Sequence, residues 1–381
     1  MPRRATSRGA ERTPIDRDAD VLVCGASFAG LAVARELAGS GARVLMLDRY
    51  EVGERQTSAC GIPTSWLEAM DLMGAHRQTF GRLLVHTARG DVGWRLPWTF
   101  STFDYRTLCD LLRERGDAEF RTAKVEGVER GRGAHTVRTD RGDVRAPLVV
   151  DALGWRRVLG DGPNVQPPEA TLSRGLEVHP QGGGDDLELW IDRAIVPAGY
   201  GWSFPADGEV RVGVGSFDPR FHVKRPTVRL AEDLRRDPVR FQGNWIPHRI
   251  RPATEAGVFF AGDSAGHCIP TTAEGIRTAL YFGIACGREL RAVVEGRSDR
   301  AGALRRYHAF SAAHRWKFEW MLRVQRLVPR IPPPALRPVL RGVGVPAFTR
   351  WAFDHYLEIA HPRFAGAPAA QRPRIRAAVA A

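Results

Sequence analysis

The chain has 381 residues, which is enough for two or three packed units around a large core. Its hydrophobic content of 43% and charged content of 26% are those of an ordinary globular protein. No apolar run approaches the roughly 18 residues that a membrane span requires. Five scattered cysteines without a C-x-x-C pair indicate free thiols. This pattern excludes a disulfide framework and a zinc site, and we expect no metal and a cytoplasmic location.

The basic charge of the chain is almost entirely arginine. The formal net charge is +13, and only Lys124, Lys224 and Lys317 are lysines. Such a charge would attract anionic substrates, membrane surfaces or nucleic acid. Because the arginines are dispersed and no basic block alternates with aromatic residues, we expect no nucleic-acid partner.

Residues 20–48 predict the succession strand, tight turn, helix, strand. The apolar run 21–23 is typical of a strand buried on both faces of a parallel sheet, and 44–47 predicts a second such strand. A helix that begins directly after the turn offers its free N–H groups to a ligand in the turn. The segment therefore predicts a β-α-β unit that binds a dinucleotide.

Four residues of this unit carry the prediction. Gly25 allows the sharp turn, and Gly30 lets the helix pack closely on the strand. Ser27 replaces the middle glycine of G-x-G-x-x-G but is small enough to admit a phosphate. Asp48 ends the second strand, where a carboxylate can accept from an adenosine ribose. These residues alone do not decide between FAD and NAD(P).

Further along, 102–115 predicts an amphipathic helix, and Gly61 and Pro63 predict a turn before it. From about 161 to 251 Pro and Gly are frequent and short strands dominate, with 194–197 among them. This texture predicts an antiparallel sheet inserted into the nucleotide-binding domain.

A second motif follows the strand predicted at 257–261. Gly262 and Asp263 end that strand, so the carboxylate reaches a sheet edge where it can accept from ligand hydroxyl groups. Gly275 and Ile276 open a helix whose N-terminus could stabilise negative charge. After 301 the chain reads as helical, with predicted helices at 304–327 and 348–359 that are separated by Ile-Pro-Pro-Pro.

The ordered trio of the glycine-rich turn, Asp151-x-x-Gly154, and Gly262-Asp263 with Gly275 resembles FAD-dependent oxidoreductases of the aromatic-hydroxylase type. Tyr-Gly-Trp-Ser-Phe-Pro at 200–205 resembles the Y-x-W-x-F-P of the geranylgeranyl reductase branch, and Cys60-Gly61 resembles its C-G element beside the flavin. The implied fold is α/β. It has a Rossmann-like FAD-binding domain of the glutathione reductase and p-hydroxybenzoate hydroxylase type, an inserted antiparallel β-sheet substrate domain, and C-terminal helices.

On this resemblance we divide the chain into five parts, of which the first is a disordered tail and the last a frayed end. The parts are a tail at 1–17, an FAD-binding domain at 18–80, 100–160 and 252–300, a substrate-binding sheet domain at 81–99 and 161–251, a helical region at 301–365, and a frayed end at 366–381.

Carried over by position, the resemblance also implies the cofactor contacts. They are Gly25, Ser27 and Gly30 at the pyrophosphate, Asp48 at the ribose, Arg49 near the adenosine, Arg106 on the flavin side of the phosphates, Val125 at the adenine, Asp263 at ribityl or pyrophosphate oxygens, and Gly275 and Ile276 at the pyrimidine edge of the isoalloxazine. The Asp151 element of the hydroxylases touches FAD and NAD(P)H. Ala152 and Leu153 intervene in it here, which argues against a nicotinamide role.

Tyr200, Trp202 and Phe204 are the predicted substrate-pocket residues, although alternation of this kind also describes a half-buried strand. Catalytic residues remain unassigned. The candidates are Cys60 and Cys268 as thiols beside the flavin and His267 as a proton donor. The simpler alternative for the cysteines is that each is a small buried hydrophobe.

The resemblance implies reduction, or the reverse dehydrogenation, of a carbon–carbon double bond in an apolar substrate by hydride transfer at flavin N5. The electron donor is NAD(P)H or an external reductase or ferredoxin. Hydroxylation or epoxidation is the main alternative, and a non-redox cyclase or isomerase is another. Halogenation is disfavoured because no lysine precedes Lys124. The aromatic helices after 301 could cap a substrate tunnel, rest on a membrane surface or pack against the domain.

Overall fold

The computed structural model describes residues 13–15, 17–56, 58–162, 165–167 and 169–366. Residues 1–12 of the predicted tail and 367–381 of the predicted frayed end lie outside these ranges. The tail prediction is wrong at its last residues. Ile15 is buried and its N–H donates to the Arg141 carbonyl at 2.7 Å, and Arg17–Asp18 pairs as a parallel strand with 144–145.

The strands are β1 (Arg17–Asp18), β2 (Val21–Cys24), β3 (Val44–Asp48), β4 (Gly61–Pro63), β5 (His76–Thr87), β6 (Val92–Phe103), β7 (Glu119–Thr122), β8 (Val125–Glu129), β9 (His135–Thr139), β10 (Gly142–Ala146), β11 (Leu148–Asp151), β12 (Leu172–Val178), β13 (Leu187–Ile191), β14 (Gly199–Pro205), β15 (Val210–Ser216), β16 (Gln242–Pro247), β17 (Thr254–Glu255) and β18 (Val258–Phe260). The helices are α1 (Phe28–Leu37), α2 (Thr64–Ala69), α3 (Tyr105–Glu114), α4 (Lys224–Asp233), α5 (Ile276–Val294), α6 (Arg300–Ala312), α7 (Arg315–Leu327), α8 (Pro333–Val343) and α9 (Pro346–Leu357).

A six-stranded sheet in the order β17-β18-β11-β2-β3-β7 forms the nucleotide-binding core. All its pairings are parallel except that of β17 with β18. The apolar strands β2 and β11 are buried along their whole length, as expected when both faces of a sheet are covered. Since β2, β3 and β11 run in the same direction, the turns that follow them meet at one edge of the sheet.

Helices α1 and α5 pack against each other at very short range. An added Cβ at Gly283 would lie 2.6 Å from the Ala29 carbonyl oxygen, and one at Gly287 would lie 2.6 Å from the Glu36 Cβ. The two glycines therefore let both helices begin side by side, close to the same sheet edge. A small antiparallel sheet, β10-β9-β8 with β1 added in parallel at its edge, completes this part of the molecule.

An eight-stranded sheet in the order β16-β12-β15-β14-β13-β5-β6-β4 forms the second layer. Its strands pair antiparallel apart from β13 with β5. β5 and β6 run well beyond the interval 81–99. The turn predicted at Gly61 and Pro63 is wrong, because these residues form the edge strand β4 against β6. The strand predicted at 194–197 is wrong as well, since the N–H groups of Ile195 and Val196 turn back to the Asp192 carbonyl.

The C-terminal helices cover the open side of β5 and β6. The long helix predicted at 304–327 is two helices, α6 and α7. The prolines after Ile331 do not only end helix: Pro333 begins α8, since proline fits the first turn, where no N–H is needed. The Trp94 indole donates to the Leu340 carbonyl at 2.9 Å, which ties α8 to β6. Among the described residues, no helix is long and apolar enough to cross a membrane.

Candidate cofactor and substrate site

A single large cavity lies between the two main sheets and has a volume of about 1860 Å³. The usual pocket for one small ligand measures about 300–1000 Å³, so this space can hold a dinucleotide and a second molecule together. Its walls come from four parts of the chain. They are the turns after β2, β3 and β11, the loop 268–276, the inner face of the eight-stranded sheet, and helices α7, α8 and α9.

The turn after β2 forms one end of the cavity. Gly25 has φ +112°, and a Cβ there would lie 2.2 Å from the Ala152 carbonyl oxygen. At Gly30 a Cβ would lie 1.9 Å from the Gly25 carbonyl oxygen. Both glycines stand behind the cavity wall and keep the turn tight, which brings 26–29 onto the wall itself.

The N-terminus of α1 is open toward this cavity. Ser27 is its N-cap, but the Ser27 hydroxyl does not cap the helix and lies 3.2 Å from the Tyr105 hydroxyl. The backbone N–H groups of 27–30 find no acceptor in the part of the chain that the structure describes. Free N–H groups at a helix N-terminus form a ready site for a pyrophosphate.

Asp48 lies on the cavity wall beside Arg49. Its carboxylate accepts from the Ala26 N–H at 2.9 Å and from the Tyr50 N–H at 3.0 Å, and burial raises its pKa. It therefore fixes the turn and still presents oxygen to the cavity, next to Val125.

Arg106 does not join this group. Its side chain is 77% exposed, lies 3.9 Å from Asp110, and is absent from the cavity wall. Its Cγ packs instead under Gly53, where an added Cβ would lie 2.9 Å from it. The side chain would have to swing inward to reach a phosphate.

Asp263 and Gly275 form the other end of the dinucleotide region. The Asp263 carboxylate accepts no hydrogen bond from the residues that are described. Burial raises its pKa to about 6, against the nearby charge of Arg251. Gly275 is the N-cap of α5 without any side-chain cap, and a Cβ on it would lie 3.6 Å from Asp263 Oδ1 and 3.3 Å from Cys268 Sγ. The cavity thus has a free acceptor beside a second open helix N-terminus.

These features fit FAD on the chemistry of the side chains alone. Two open helix N-termini, at Ser27 and Gly275, supply donors for a pyrophosphate and for the oxygen-rich edge of an isoalloxazine. Asp48 and Asp263 supply acceptors for ribose and ribityl hydroxyl groups. The remaining volume is lined by the sheet and the C-terminal helices.

Three aromatic side chains of β14 form the sheet wall of that remaining volume. Tyr200, Trp202 and Phe204 all line the cavity. The Tyr200 hydroxyl donates to the Thr272 carbonyl at 2.6 Å, so the wall is bonded to the loop that leads into α5. The Trp202 indole donates to Glu177 Oε2 at 3.2 Å.

Residues 18–130 match the family profile described as FAD binding domain. A protein of Methanosphaera stadtmanae named digeranylgeranylglycerophospholipid reductase is 23% identical over 337 residues, which cover 78% of this chain and 83% of that relative. The chain is an FAD-dependent oxidoreductase, and its sequence is similar to that of proteins named digeranylgeranylglycerophospholipid reductase.

Solved structures confirm the expected fold. A geranylgeranyl bacteriochlorophyll reductase-like protein from Thermoplasma acidophilum has a TM-score of 0.79 at 18% identity and covers 91% of this chain and 97% of its own. A p-nitrophenol 4-monooxygenase from Pseudomonas putida has a TM-score of 0.68 at 17% identity and covers 91% and 99%. Reductases and oxygenases therefore share this architecture, and the overall fold does not distinguish them.

Two of the three candidate catalytic residues of this flavoenzyme lie behind the cavity wall. His267 is fully buried, stacks on Phe282 with ring centroids 3.7 Å apart, and bonds the Ser311 hydroxyl at 2.9 Å. Burial lowers its pKa well below the usual value, so the imidazole is poorly suited to act as a general acid. Cys60 is also fully buried, and its thiol donates to the Ser58 carbonyl at 3.2 Å. Neither placement supports a catalytic role.

Cys268 is the candidate that reaches the cavity. Its Sγ lies beside Gly275, where the flavin is expected, and burial raises the pKa of its thiol far above the usual value. The side chain is therefore a protonated, weakly nucleophilic thiol, suited to contact an apolar ring.

Asp151 has a structural role and does not line the cavity. It is fully buried and accepts from the N–H groups of Leu153 and Leu159 and from the Ser264 hydroxyl at 2.6 Å. These three donors join the end of β11 to the turn after β18.

Sequence reasoning missed three residues of the substrate wall. Gly213 and Gly215 lie beneath the Trp202 ring, where a Cβ would lie 2.2 Å and 3.4 Å from ring atoms, and Glu177 bonds its indole. The alternation Val-Gly-Val-Gly at 212–215 was a usable signal, since glycines on one face of a strand mark a close approach.

The mouth of the cavity carries exposed aromatic residues from α7 and α9. Trp316, Trp320 and Trp351 are 66%, 59% and 56% exposed and also line the cavity. The apolar interior therefore continues without a break onto an apolar outer surface.

Proposed function

We propose that this enzyme reduces carbon–carbon double bonds in a prenyl-type chain. The observation that carries the proposal is the continuous apolar passage from the flavin-facing loop at 268–276 to the aromatic mouth at α7 and α9. A cavity with this volume and apolar lining suits a long hydrocarbon better than a compact polar molecule. The relative named digeranylgeranylglycerophospholipid reductase supports the same substrate class.

The residues around the cavity fall into those that would bind FAD and those that would contact the substrate. FAD, when bound and reduced, supplies hydride to the double bond. The open N-termini of α1 and α5 would hold its charged parts, and Asp48 and Asp263 would hold its hydroxyl groups. The aromatic side chains of β14 would pack the hydrocarbon against the isoalloxazine ring and exclude water from that ring. They are Tyr200, Trp202 and Phe204.

We propose an external reduced carrier as the electron donor. Asp151 belongs to the element that touches NAD(P)H in the hydroxylases, but here all its bonds are made within the protein. Its side chain is therefore occupied by structural contacts and is not available for a nicotinamide.

We further propose that the enzyme docks on a membrane while it acts. Seven of the ten exposed large hydrophobic residues among those described lie in 316–351, at the cavity mouth. The same stretch, taken from 315, holds eight basic residues and one acidic residue, Glu319. Exposed tryptophans within a basic surface suit an anionic bilayer, from which a lipid substrate could enter directly.

The function is tested with FAD-loaded protein, dithionite and geranylgeranyl diphosphate under argon. We expect a product that has gained two hydrogen atoms for each double bond reduced, measured by mass spectrometry, and none without protein. NADPH alone should bleach the flavin absorbance slowly, while reduced ferredoxin should bleach it fast. A product that has gained oxygen, formed only in air with NADPH, would contradict the reductase and favour the oxygenase.

A further inference from the structure

A buried chain of charged side chains leads from the cavity to the surface of the eight-stranded sheet. Glu177 Oε1 lies 2.9 Å from His179 Nε2, and both residues are almost fully buried. His179 Nδ1 lies 3.6 Å from Glu209 Oε1, and the Glu209 side chain is 23% exposed. The group therefore connects the cavity wall with solvent.

Glu177 holds a special position on that wall. Among the described strands of the eight-stranded sheet, it is the one carboxylate that lines the cavity. Its second oxygen accepts from the Trp202 indole, two residues along β14 from Tyr200, which bonds the flavin-facing loop. The carboxyl group thus lies on the substrate wall, bonded to an aromatic side chain two residues along β14 from the contact with the flavin-facing loop.

Neighbouring charges favour a proton on His179, the partner of Glu177. Burial would lower the pKa of His179, but the hydrogen bond to Glu177 and the nearby Glu209 outweigh it and raise the pKa. Despite its burial, Glu209 has a pKa of about 2, because it is bonded to His179 and flanked by Arg211 and Arg240. Arg211 works in the opposite sense and disfavours charge on His179.

We propose that Glu177 protonates the substrate and that His179 resupplies the proton. The inference rests on the proposed reduction of a double bond. A proton first moves from charged His179 to Glu177. As the π bond breaks, one carbon takes the hydride that reduced FAD would supply, and the other carbon takes this proton, which leaves Glu177 as the carboxylate and His179 neutral. His179 then regains a proton from solvent on the side of Glu209. Glu209 is a positioning residue that keeps His179 charged.

The test compares Glu177→Gln with Glu188→Gln. Glu188 bonds a second histidine on the same sheet, His86, at 2.7 Å, but it does not line the cavity. With geranylgeranyl diphosphate and dithionite, Glu177→Gln should lower kcat by about 100-fold or more, the usual range for loss of a general acid, with little change in KM. Glu188→Gln should keep the wild-type rate. Flavin absorbance and FAD affinity, measured on both variants, show whether the site has kept its structure.

The pH profile separates proton transfer from mere support of Trp202. In the wild type, kcat should fall as pH rises above the raised pKa of His179, because the pair then holds no transferable proton. His179→Gln should remove this fall from the profile and lower kcat, because the group that resupplies the proton is gone. A Glu177→Gln enzyme with normal kcat, or an unchanged profile in His179→Gln, contradicts the relay alone. A wild type that reduces nothing contradicts the proposed function itself.

Discussion

Trp202 shows how single residues shape the substrate wall. Its ring lies over Gly213 and Gly215 of β15, and its indole N–H is fixed by Glu177. The orientation of this ring is therefore set by the absence of side chains beneath it as much as by its one hydrogen bond.

We predict that Gly213→Ala disturbs this wall and that Gly175→Ala does not. A Cβ at 213 would lie 2.2 Å from Trp202 Cζ2, whereas one at 175 would lie 3.8 Å from the ring and in ordinary contact. Overpacking of this kind costs about 1–3 kcal/mol. The free energy of unfolding in urea and the tryptophan fluorescence of both variants measure the effect. Equal stability of the two variants would mean that the ring does not lie on this strand.

At the scale of elements, the loop before α5 depends on the end of the chain. Arg277 is fully buried, and its Nε donates to Glu274 Oε1 at 2.6 Å. Its other nitrogens donate to the carbonyls of Tyr356 and Leu357 at the end of α9 and of Ala360 just after it. One guanidinium thus joins the flavin-facing loop to the helix that borders the cavity mouth.

Arg277→Met should destabilise the protein strongly, because it leaves the buried Glu274 carboxylate without its cation and removes three hydrogen bonds to backbone carbonyls. Breaking such a buried pair costs about 3–5 kcal/mol. Arg297→Met is the matched control, since its ion pair with Glu295 is largely exposed and contributes about 1 kcal/mol or less. Urea unfolding of both variants decides the point, and FAD affinity should fall in Arg277→Met only. Similar losses of stability in the two variants would contradict the role of Arg277 in joining the flavin-facing loop to α9.

At the scale of the whole molecule, the sequence predicted the parts that rest on local rules. The glycine-rich turn and the buried strands follow from spacing and apolar runs, whereas the FAD cofactor was implied by the resemblance to a known family. The edge strand β4 and the start of α8 did not, because pairing with β6 overrode the turn signals and proline fits a first helical turn. His267 was misplaced for a similar reason, since only tertiary packing shows that Phe282 covers it.

The surface proposed to dock on a membrane is also a property of the whole molecule, because α7, α8 and α9 contribute to it together. The paired change Trp316→Ala and Trp320→Ala should weaken binding to phosphatidylglycerol vesicles, measured by co-sedimentation, by about tenfold or more, since each tryptophan buries a large apolar surface. The control pair Val165→Ala and Val239→Ala alters exposed apolar residues away from the mouth and should bind normally.

The charge of this surface gives the docking a second signature. Each basic residue near an anionic surface contributes about 1 kcal/mol, and this attraction is screened by salt. Binding to phosphatidylglycerol should therefore weaken as ionic strength rises, and phosphatidylcholine vesicles should bind poorly even at low salt. Equal binding to both lipids would contradict an electrostatic role of the arginines in docking. Normal binding of the tryptophan variant would show that α7 is not the docking helix, and its exposed rings would then need another partner.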